Sequence, residues 1–165
     1  MMKKLPGFIF MIALALALSA TILFAADTMS GTWKINIAKS KFSPGPAPKS
    51  GNRTNTAVDG GMKVVTDGVN SEGKKTHNEY TVKFDGKDYP EKPMIDGKPN
   101  PDGADTISMK KIDDYTYETT TKKAGKVLTV TRIVVSKDGK TTTATSTGKN
   151  AKGETVNNTV VADKQ

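Results

Sequence analysis

The stretch Thr76-His77-Asn78-Glu79-Tyr80-Thr81-Val82-Lys83-Phe84 alternates strictly at its C-terminal end. Tyr80, Val82 and Phe84 share one side, and Thr81 and Lys83 the other. A period of two with one apolar and one polar face predicts a half-buried antiparallel strand. His77 falls out of phase with the apolar set and should face away from it. Asp85-Gly86 ends the run with a pair suited to a tight hairpin, because glycine accepts positive φ.

The same rhythm recurs in both directions. Asp59-Gly60-Gly61, Glu72-Gly73, Ala124-Gly125, Asp138-Gly139 and Lys152-Gly153 punctuate the chain. Between them lie β-rich runs over 31–37, 52–58, 62–69, 105–112, 115–122, 126–136, 140–148 and 154–162. Trp33, Ile35 and Ile37 should share a face in the first. After Ala26 there is a single leucine, Leu128, amid abundant threonine and valine. Leucine favours helices and β-branched residues favour strands, so almost no helix is expected. Two segments break the rhythm: 43–48, rich in proline that cannot donate to a ladder, and the long loop 89–103. Successive hairpins close most economically into an antiparallel up-and-down β-barrel of about 8–10 strands, which removes exposed edges. A β-sandwich is the competing architecture.

The N-terminus has a different character. Met1-Met2-Lys3-Lys4 precedes 22 uncharged residues, Leu5 to Ala26, ending in Ala25-Ala26. Positive charge, an apolar run and a small-residue end read as a signal peptide over 1–26, with a single domain over 27–165. An uncleaved anchor is the alternative, since the run is long enough to span a bilayer. Either way, residues 27–165 are expected outside the cytoplasm, periplasmic or secreted, with membrane contact only through the signal segment. N-terminal sequencing of exported protein should begin within a residue or two of Asp27. An intact Met1 in the membrane fraction would instead identify an anchor.

Composition narrows the function. There is no cysteine, which rules out disulfides and thiolate metal sites. After Ala26 there are 23 basic and 17 acidic residues, a net charge of +6. The lysines are dispersed among acids, in pairs at most, so no nucleic-acid partner is expected and the lysines read as a solvated surface. One histidine, His77, cannot build an ordinary zinc site. No Gly-x-Ser-x-Gly turn, phosphate loop or paired-carboxylate motif is present. The expectation is a monomer without cofactor, metal or catalytic residues, and not an enzyme.

Gly31-Thr32-Trp33-Lys34 opens the first strand. It resembles the Gly-x-Trp signature that begins the barrel of lipocalins and fatty-acid-binding proteins, the calycins. The stretch from Gly31 through Pro48 is also similar to the opening of small exported bacterial lipocalin-like proteins. The resemblance implies a tryptophan at the closed end of a barrel, covered by a basic side chain. Arg132 is the candidate partner, which makes Gly31, Trp33 and Arg132 the expected barrel-closing set. Lipocalins also carry a late basic residue in the last strand, and only Lys164 is available for it. The Arg-x-Tyr carboxylate clamp of fatty-acid-binding proteins is missing from the C-terminus, as is a helical lid after the first strand. Two functions follow: carriage of a small apolar or amphipathic ligand in the interior, with loop 89–103 at its entrance, or a cell-envelope interaction module with no internal ligand. The seven aromatic residues after Ala26 favour the cavity, because few large side chains are available to fill it.

Overall fold

The computed structural model describes residues 27–165; the expected signal segment 1–26 lies outside them. Twelve strands form one antiparallel sheet. Nine are long: β1 (Gly31–Ile35), β2 (Ser50–Val58), β3 (Gly61–Val69), β4 (Lys75–Lys83), β8 (Thr106–Lys111), β9 (Thr116–Lys123), β10 (Lys126–Val135), β11 (Thr141–Lys149) and β12 (Thr155–Lys164). These coincide with the nine runs read from the sequence, apart from end residues. The only helix among the described residues is a 3-10 turn, Ile37–Lys39.

With three two-residue strands, β5 (Tyr89–Pro90), β6 (Met94–Ile95) and β7 (Lys98–Pro99), the sheet order is β5-β8-β9-β10-β11-β12-β1-β2-β3-β4-β6-β7. Consecutive long strands pair within each arm, β1 to β4 and β8 to β12, and the last long strand lies beside the first through Trp33↔Lys164 and Ile35↔Ala162. The sheet curls into a half-barrel. Its arms meet where the chain after β4 reaches β8: Gly86 N–H donates to Met109 C=O at 3.0 Å, and the backbones of Asp85 and Lys110 form an isolated antiparallel β-bridge.

Two local expectations are corrected. Ile37 does not extend the first strand. Asn36 caps the 3-10 turn, its side-chain oxygen accepting from Lys39 N–H at 3.1 Å, and a capping asparagine competes with the ladder for the backbone. Segment 89–103 is not wholly irregular: it holds three two-residue strands, β5 (Tyr89–Pro90), β6 (Met94–Ile95) and β7 (Lys98–Pro99). Proline fits there because such short edge strands need few donors.

Alternation divides the two faces. Trp33, Met62, Val64, Val82, Met109 and Tyr117 are fully buried on the inner face. At this end Tyr117 Oη donates a short hydrogen bond to Asp27, and Lys111 lies 3.4 Å from the same carboxylate. Towards the other end the inner positions turn polar. Thr121 bonds Thr129 at 2.9 Å and Thr131 bonds Ser146 at 2.8 Å. Segment 89–103 sits at this polar end, where Glu91 N–H donates to Asp105 C=O and Asp96 N–H to Lys75 C=O. His77 faces outward as its phase requires, 2.8 Å from Asp67 on the neighbouring strand.

Candidate functional site

Trp33 is 1% exposed, and its Nε1–H donates to Met29 C=O at 2.9 Å. A buried indole needs such a partner for its one polar atom. Lys164, directly opposite on β12, places Nζ 5.1 Å from the ring centroid. Gly31 makes room for it: a Cβ there would stand 2.7 Å from Lys164 Cε, and φ is +121°. The glycine two residues before the tryptophan therefore clears a path for the cation.

Arg132 is not that cation. Ile133 and Val135 are buried, so alternation turns Arg132 to the exposed outer face, opposite Glu118 and Thr145. Gly31 and Trp33 come together, and Lys164, the late basic residue of the last strand, stands where Arg132 was expected.

Beside Trp33 the curled sheet holds a partly open cavity of about 230 Å³, lined mainly by Met29, Ile35, Ile133, Ala144, Val160 and Ala162, with Arg53, Asn55, Thr66 and Thr142 as its polar part. A larger groove of about 500 Å³ lies between two hairpin ends, lined by Lys123, Lys126, Val127, Lys149 and Asn150. It contains no core residue.

Arg53 is a cation of the inner face on the wall of this cavity. It sits opposite Trp33 on β1 and Thr66 on β3. Its Nε–H donates to Asn55 Oδ1 at 2.9 Å, and Asn55 Nδ2–H donates to Met29 C=O at 2.8 Å. Thus Trp33, Asn55 and Arg53 are all fixed through the Met29 carbonyl. Arg53 Nη2 is buried without a partner among the described residues.

Thr66 in turn lies opposite Asn78. Asn78 Nδ2–H donates to Glu91 Oε2 at 2.8 Å, linking β4 to the chain after β5. Asn78 Oδ1 and Glu91 Oε1 are also buried and unpartnered among the described residues. Burial raises the Glu91 carboxyl above its ordinary value of 4.5; the Asn78 bond opposes this, and Asp105 adds to it. Tyr80 is buried nearby. Desolvation raises its phenol, with Arg53 lowering it and Glu91 raising it through charge.

The Glu91 shift fixes a pH dependence. A carboxyl whose pKa is higher folded than unfolded binds more protons in the folded state. Its contribution is therefore complete below about pH 4.5 and is lost as pH rises through the folded value. Glu91→Gln stays neutral throughout. Denaturant unfolding from about pH 4 to pH 8 should show the variant gaining stability relative to the native protein as pH rises. A constant difference across that range would contradict the assignment.

Sequence reading missed Arg53, Asn78 and Glu91 as members of one site. Part of the signal was available: Asn78 is in phase with Tyr80 and Val82. No protein-family model matches the chain, and no curated protein matches it either.

Proposed function

We infer that this chain is an exported, lipocalin-like β-barrel that carries a small amphipathic ligand in its interior and performs no chemistry on it. The observation that carries the reading is the cavity beside Trp33, lined by apolar side chains with Arg53, whose Nη2 is buried, on its wall. Ligand sites are typically concave, mostly apolar and furnished with a few convergent polar groups. The volume corresponds to about eight water molecules at ~30 Å³ each, which suits a small ligand rather than a long lipid. Meander order, the pairing of first and last long strands, and contact between the arms favour a barrel over a sandwich. The Gly31–Trp33–Lys164 arrangement supports the calycin likeness. Entry through the polar end, past segment 89–103, is consistent with the hydroxyl-lined inner face there.

The test is titration with apolar fluorescent probes, followed by hydrogen–deuterium exchange on any binder. Saturable binding at micromolar concentration with protection in 89–103 is expected. No binding by any probe would overturn the reading. It would favour an envelope interaction module, for which the exposed Val130 and Val134 on the outer face of β10 offer a surface.

A further inference from the structure

We propose that the inner row Arg53–Thr66–Asn78, with Glu91 bonded to Asn78, holds the polar head of the interior ligand, and that this head is an uncharged carboxamide-type group carrying both an acceptor and an N–H donor. The proposal rests on interior carriage as proposed above.

Three of the four buried side-chain atoms without a partner among the described residues belong to this set: Arg53 Nη2, Asn78 Oδ1 and Glu91 Oε1. Buried polar atoms are nearly always hydrogen-bonded, so each such atom calls for an explanation. The register aligns them. Arg53 faces Thr66 and Thr66 faces Asn78 across adjacent antiparallel strands, where facing Cβ atoms lie about 5 Å apart. A long arginine side chain can span most of the two intervals to Asn78. Glu91 joins the row through its hydrogen bond with Asn78, whose Nδ2–H donates to Glu91 Oε2 at 2.8 Å.

The unpaired set is one donor and two acceptors. A carboxamide matches it: its C=O accepts from Arg53 Nη2, and its N–H groups donate to Asn78 Oδ1 and Glu91 Oε1. A carboxylate fits worse. It could accept from Arg53, but it has no proton for the two acceptors and would add negative charge beside Glu91. A ketone satisfies Arg53 alone.

Calorimetric titration of the purified protein at neutral pH with octanamide, methyl heptyl ketone and octanoate tests this. The amide and the ketone share chain length and shape and differ only in replacing NH₂ by CH₃. Octanamide should bind roughly tenfold more tightly than the ketone, the scale of one or two buried hydrogen bonds. Asn78→Leu should abolish most of that preference, while Arg53→Met should weaken amide and ketone alike. Equal binding of amide and ketone would overturn the proposal and leave water as the partner of the row. Tightest binding by octanoate would overturn it in favour of an anion site. If none of the three binds, interior carriage itself fails and the head-group assignment falls with it. Should Asn78→Leu fail to fold, the amide-to-ketone ratio in the unaltered protein decides alone.

Discussion

Trp33→Ala should destabilise the domain by about 3–5 kcal/mol, the range for truncating a buried large aromatic. The indole is almost wholly buried, packs within the core cluster with Met29, Ile133 and Ala162, and adjoins a cavity that the truncation would enlarge. Its loss also strips the Met29 carbonyl of the Nε1–H bond, although Asn55 still donates to that oxygen. Lys164→Ala should cost far less, about 0.5–1 kcal/mol, because the ammonium is exposed and its contact with the ring is screened. Arg132→Ala should leave the tryptophan environment unchanged. Denaturant unfolding of the three variants, followed by tryptophan fluorescence where the indole remains and by circular dichroism otherwise, checks the ranking. Equal costs for Trp33→Ala and Lys164→Ala would refute the account of a buried indole capped by an exposed cation.

Gly61→Ala should destabilise the domain by about 3 kcal/mol or more, which is large for one methyl group. A Cβ at this position would overlap the Val82 carbonyl oxygen and lie 2.7 Å from Lys83 Cα. Both are backbone atoms of β4, so no rotamer change relieves the clash. The strand must shift at the point where Gly61 faces Lys83, and the register Met62↔Val82 behind it brings two core side chains together. Gly125→Ala is the matched control. Gly125 has φ +75° and nothing within 4 Å of its would-be Cβ, so only left-handed backbone strain of about 1–2 kcal/mol applies. Comparable unfolding midpoints for the two variants would show that β3 and β4 are less tightly joined than the geometry requires.

Both predictions concern residues prominent in the sequence for different reasons. Trp33 stood out as part of a motif, and Gly61 only as the second glycine of a turn. That glycine is needed less for the turn than for the close approach of a third strand, and no local pattern encodes a neighbour more than twenty residues away.

What the sequence determined by itself was the set of strands. Alternation such as Tyr80-Val82-Phe84, Asp-Gly turns and the scarcity of leucine act within a few residues of one another, so nine long strands and the near absence of helix could be read directly. His77 was placed on the outer face by phase alone, and the core position of Trp33 followed from its strand. What only the tertiary structure decided was who meets whom. Lys164 rather than Arg132 covers the indole because β12 pairs with β1, while alternation against Ile133 sends Arg132 outward. Glu91 reaches Asn78 because the β5–β8 pairing turns the chain inward within the proline-rich segment 89–103, which the sequence marks as a long loop at the cavity's entrance. Arg53, Thr66 and Asn78 fall into one row only once two hairpin registers are fixed. Local chemistry sets strand and face, whereas these contacts depend on pairings between distant segments and on the curl of the whole sheet.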